Sequence, residues 1–196
     1  QARRAAQQIE RTRLATEFVT ELFRLNAEGN FETSPEMPKA TFVDRGALLI
    51  QARFASEPAM QADLLGAVAR VYRDMGADGL AVDYAQRQFA VLAKLPDTRV
   101  QQVASLLLVC RARLRDEDDE AAEVAAQRAF DLAGADPTLQ LDALGWLAKA
   151  QIENGRLDAA RESIRTAELL VQTRDAANTA GAARLLAVRA ELLLLD

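Results

Sequence analysis

Chemistry in this chain would have to come from carboxylates, guanidiniums and one thiol, because its 196 residues include no histidine and a single cysteine. Without histidine the usual base near neutral pH is missing, as are the Ser-His and Cys-His pairs that activate a nucleophile. Cys110 falls within LLLVCRARL (106–114) at a position suited to a small apolar residue, which reads as a buried thiol rather than a reactive one. One cysteine forms no internal disulfide and leaves the redox compartment open. The densest carboxylates are DEDDE (116–120). Asp116 and Glu120 have a spacing commonplace on solvated helix faces, and the run reads as a solvated turn capping the next helix rather than as a cation site. Zinc would lack ligands. The expectation is a chain with no catalytic residue, no metal and no cofactor.

The elements that position these groups are helical by composition. Half the residues are apolar but only 5% are aromatic, with alanine and leucine dominant. Those residues favour helices, and strand formers are thin. A compact chain of this length buries roughly 70% of the surface its unfolded form exposes. The net charge of −5 does not suit general binding to a phosphate backbone. No signal peptide or apolar run of membrane-spanning length is visible; LLLL (192–195) is far too short. A start at Gln1 and a stop in a leucine run suggest a piece of a longer protein.

Helical periodicity governs nearly every segment. Ile9, Leu14, Phe18, Leu22 and Leu25 form one stripe, residues 26–38 form a loop rich in proline and acid, and a second helix is expected from about 39 to 55. The chain then repeats itself. Segments starting at 65, 106 and 144 can be overlaid at a period of roughly forty residues. Small residues return at Ala69, Cys110 and Ala148, then at Ala81, Ala122 and Ala160. Antiparallel helices approach within about 8–10 Å only where the crossing carries little side chain. Leu65, Leu106 and Leu144 flank those crossings, and Gly76 and Gly155 mark the hairpin turns, with Glu117 in the same place in the second unit. Trp146 and Phe89 are expected between repeats. A last helix over 176–195 carries Ala183, Leu186, Ala187 and Ala190 but lacks a partner helix. Leu185, Leu186 and Leu192 to Leu195 offer more apolar surface than one neighbour covers, so a further repeat or a second copy is expected there. About nine helices result.

This pattern of small and large residues resembles the tetratricopeptide repeat, with units longer than the usual length of about 34. Tyr72, Gly76 and Ala81 fit in one unit, as do Gly155, Leu157, Ala160 and Ala167 in another. Trp146 lies two residues past the usual bulky slot, which Leu144 fills. The resemblance implies an all-α, right-handed superhelical stack of antiparallel helix hairpins, an α-solenoid. Residues 1–58 would be a capping hairpin, and 59–196 three hairpins plus an unpaired helix. It also implies a groove lined by the first helix of each pair. The groove-facing slots carried over are Asp63, Gly66, Arg70, Arg73 and Asp74; Leu107, Arg111, Leu114 and Arg115; Asp142, Gly145, Lys149, Ile152 and Glu153; then Arg184 and Val188. Of these, Arg70, Arg73, Leu107, Arg111, Leu114, Arg115, Lys149, Ile152 and Arg184 form the expected ligand groove. Interleaved cations and apolar residues suit a protein or peptide ligand with acidic and hydrophobic side chains. The asparagine-lysine clamp that some such domains use for a terminal carboxylate is not reproduced.

FVTELFRLN (18–26), VDRGALLI (43–50) and DLLGAVARVYRDMG (63–76) resemble the C-terminal repeat region of bacterial transmembrane serine/threonine protein kinases. None of the kinase's own motifs is present, so the resemblance implies a membrane-anchored protein's sensory or docking module. It would then lie on the periplasmic side, although Arg3, Arg4, Arg11 and Arg13 favour a cytoplasmic position. The alternative is the helical scaffold of a cytoplasmic transcriptional regulator.

Overall fold

The computed structural model describes Arg13 and residues 47–173 and 180–194. The expected helix over 2–26, the loop over 26–38, most of the capping hairpin and Leu195 lie outside the described residues. The chain forms two compact units, Gln1–Pro96 and Asp97–Asp196. Among the described residues it is all-helical, without a strand.

In the first unit a helical stretch over 47–53 ends in a turn, and Pro58 opens α1 (Pro58–Asp74), which pairs with α2 (Asp78–Leu92). Proline suits a first helical position because its missing N–H would have no partner there. Tyr72 and Tyr84 stack between the two helices with ring centroids 5.6 Å apart. Gly66 on α1 faces the Gln88 side chain of α2, whose amide nitrogen a Cβ there would meet at 2.2 Å unless that side chain moved.

The second unit contains α3 (Arg99–Arg115), α4 (Asp119–Ala133), α5 (Pro137–Glu153), α6 (Leu157–Thr173) and α7 (Ala180–Leu193). Helices α3 and α4 form one hairpin, α5 and α6 the next. Each first helix also packs on the following one, α3 on α5 and α5 on α7, while α4 packs on α5. This is a stack of hairpins in sequence order, and α7 occupies the first-helix position of a further hairpin. Its expected start at 176 lies outside the described residues. Gly181 sets its distance from α5, since a Cβ there would meet the Asp142 backbone nitrogen at 2.8 Å.

Small residues close the crossings of the three hairpins, but on α7 the expected face is turned outward: Ala183, Leu186, Ala187 and Ala190 are exposed, and Ala182, Leu185, Val188 and Leu192 are buried against the neighbouring helices instead. Ala69, Cys110 and Ala148 are fully buried, as are Ala81, Ala122 and Ala160. The turns are equally regular. After α1, Ala77 N–H donates to the Tyr72 carbonyl and Gly76 N–H to that of Arg73. The same six-to-one bond joins Asp118 to Arg113 and Arg156 to Gln151. Each is a Schellman closure, which needs a left-handed residue at the penultimate position. Gly76, Glu117 and Gly155 supply it, with φ of 76°, 58° and 70°. Asp118 caps α4, accepting from Ala121 N–H, and pairs with Arg113 at 3.1 Å. The acidic run is therefore a turn and a cap. Asp116 and Glu120 do not share a helix face, because Asp116 ends α3 and Glu120 begins α4.

Candidate functional site

The slots carried over for a groove divide between the units. In the first, Arg70 is exposed, and Arg73 donates to its neighbour Asp74 at 2.7 Å.

In the second unit three consecutive first helices converge on Trp146, which is half-buried on α5. Arg111 on α3 and Arg184 on α7 both lie over its ring, with the guanidinium carbon 5.2 and 4.3 Å from the centroid. Such contacts use the negative face of the aromatic ring to hold a cation. Arg184 also donates to Asp142, one turn earlier on α5. Its aliphatic stem crosses α5 at Gly145, where a Cβ would fall 3.3 Å from Arg184 Cδ. One turn beyond Trp146, Lys149 donates to Glu153 on its own helix and to Glu191 on α7, the latter at 2.5 Å. Burial alone would lower the Lys149 ammonium, but its hydrogen bonds to Glu153 and Glu191 and their charge outweigh this, and its pKa is raised.

Arg111, Lys149 and Arg184 are thus brought together, with Leu114 half-buried and Arg115 exposed at the end of α3. Leu107 and Ile152 are not groove residues. They are 5% and 6% exposed, and Val188 is 3% exposed. First helices pack on one another as well as on their partners, so a wide arc of each is buried: residues 105–110 of α3 are buried without a break. Trp146 also departs from expectation, being half-open under two arginines rather than sealed between repeats. Beneath this face, burial pushes the Cys110 thiol up to about 12, with the nearby Arg184 and Arg111 charges pulling against it. That thiol is held in its un-ionised form near neutral pH.

The sequence reading missed Glu123, a carboxylate only 8% exposed on α4. It accepts from Arg156 at 2.6 Å, Asn154 at 2.9 Å and Gln151 at 3.5 Å, and Gln151 in turn accepts from Ser163 at 2.8 Å. These donors come from α5, the following turn and α6, so the network ties one hairpin to the next. A charge within the stripe Ala122, Ala125, Ala126 and Ala129 was the available signal. Among the described residues no group of histidine, cysteine and carboxylates has metal-binding geometry. No helix there is long and apolar enough to cross a membrane.

No family model matches the chain, and no curated protein matches it.

Proposed function

We propose that this chain is a non-catalytic docking module that holds another protein against the first-helix face of its hairpin stack. The observation carrying this reading is the convergence of Arg111, Trp146, Lys149 and Arg184 from α3, α5 and α7, the first helices of successive hairpins. Rigid helices hold these side chains in register, and a half-open aromatic beside cations is typical of a residue that anchors a partner. The missing histidine and the un-ionised Cys110 support a role in binding rather than turnover.

The resemblance of residues 18–26, 43–50 and 63–76 to kinase-linked repeats supports a place in bacterial signalling, as the docking region of a membrane-anchored serine/threonine kinase on its periplasmic side. The rival is a helical scaffold in a cytoplasmic transcriptional regulator. Genomic sequence upstream separates them: an apolar span behind a kinase signature fits the first, and a winged-helix or ATPase segment sinks it.

The docking reading itself is tested by affinity capture from the native host with wild-type protein and an Arg111→Glu variant of unchanged melting temperature. A partner retained by the first and lost by the second is expected. Equal retention by both overturns a role for this face.

A further inference from the structure

Charge in the second unit is sorted by layer. The first helices α3, α5 and α7 carry seven cations and three carboxylates, and α3 has four arginines and no acid. The second helices α4 and α6 reverse this, with three cations and seven carboxylates. Within this unit most helical cations therefore lie on the first-helix layer. Two of those cations serve elsewhere, since Arg113 reaches the turn at Asp118 and Arg189 reaches Glu168 on α6. Arg111 and Arg184 lie over the Trp146 ring, and Lys149 sits one turn beyond it on α5.

The internal acids there are bound unequally. Glu153 and Glu191 converge on Lys149, whereas Asp142 is the carboxylate that Arg184 holds. All three pairs reach solvent to a similar degree, the Arg184 and Asp142 side chains being 24% and 38% exposed, and the Arg184 pair differs in that its cation holds one carboxylate where Lys149 holds two. Pairs that reach solvent contribute little to stability, so exchanging one carboxylate for another costs little. Contact with Trp146 keeps the Arg184 guanidinium in place during the exchange. The arrangement is a preset cation site covered by a replaceable internal anion.

We infer that this face recognises an acidic segment of a partner protein, whose carboxylates displace Asp142 from Arg184 and lie beside the Trp146 ring. This inference rests on the docking reading above and adds the chemistry of the partner. A polyphosphate is a poor fit, because three carboxylates share the face with its cations and nucleic-acid binding needs many uncompensated ones.

Trp146 is the single tryptophan of the chain, so its emission reports occupancy directly. The probe is a peptide of alternating glutamate and leucine, with a lysine-leucine peptide and a short oligonucleotide as controls. The glutamate peptide is expected to change Trp146 emission saturably and to bind more weakly as salt rises. Arg184→Gln should weaken it about tenfold, the loss of one charge-assisted pair. Asp142→Asn should tighten it about threefold by removing the internal competitor. The gain in affinity on deleting an acid is the outcome that a purely structural ion pair would not give. The inference is overturned if the glutamate peptide leaves Trp146 emission unchanged, if Asp142→Asn weakens binding or leaves it unaltered, or if the oligonucleotide binds as well. Should the peptide fail while Arg111→Glu still abolishes partner capture, the docking face stands and only its acidic specificity falls.

Discussion

Replacing Ala122 by leucine tests the packing on which the docking face depends. Ala122 is fully buried on α4, a helix packed against both α3 and α5. Leucine adds three carbon atoms. Were there room for them, burial at about 0.8 kcal/mol per methylene would stabilise the protein by about 2 kcal/mol. Interiors are packed to crystal density, so the added atoms must instead push helices apart or take strained rotamers, which costs about 1–3 kcal/mol. The sign of the change therefore reports whether the helices touch at this alanine. At this chain length each kcal/mol lowers the melting temperature by about 2–4 °C, so a fall of roughly 2–12 °C is expected. Thermal melts followed by circular dichroism measure the fall, and urea titration followed by Trp146 emission measures the free-energy change. Val124→Ala, on the same helix but at a position 55% exposed, is the control and should stay within about 0.5 kcal/mol of wild type. An unchanged or raised stability for Ala122→Leu refutes a crossing at this residue.

Glu117→Gly should stabilise the second hairpin by about 0.5–1 kcal/mol, because the left-handed backbone there strains a residue with a Cβ, whereas Gly155→Ala should destabilise; thermal melts decide both. Glu123→Ala should cost about 1–3 kcal/mol in chemical denaturation, since it leaves the buried Gln151 short of a partner, while Arg156→Ala should cost clearly less because Arg156 is largely solvated. Because burial holds the Cys110 thiol un-ionised to about 12, the unfolded chain loses that proton first, so stability contributed below pH 9 should fade as pH rises from about 9 to 12. Cys110→Ala should remove that part of the decline in melts across this range, and native Cys110 should react with a disulfide reagent at pH 8 only as the chain opens. Leu186 and Leu193 are 67% and 64% exposed on α7, so Leu186→Glu with Leu193→Glu should leave stability nearly unchanged and abolish the self-association expected by analytical ultracentrifugation of wild type. A wild type that remains strictly monomeric at high concentration counts against that association.

Much of the architecture was legible in residue order because its causes are local or periodic. Alanine at 81, 122 and 160, and a left-handed turn at 76, 117 and 155, mark helix crossings and ends through steric rules acting over a few residues. Even the exception, Glu117, was locatable from its place in the repeat. What lay beyond the sequence was which side chains meet between helices far apart in the chain. Leu107 and Ile152 have the same spacing from the turns as groove residues, yet the packing of α3 on α5 and α5 on α7 buries them. Trp146 falls outside the bulky slot of its repeat, and nothing nearby in sequence announces that Arg111 and Arg184 lie over its ring. Glu123 likewise finds its partners about thirty residues away. Helices form under contacts within a turn or two, but their mutual distance is set by how whole faces interlock. The composition of this face was therefore readable in advance, and its geometry belonged to the tertiary structure.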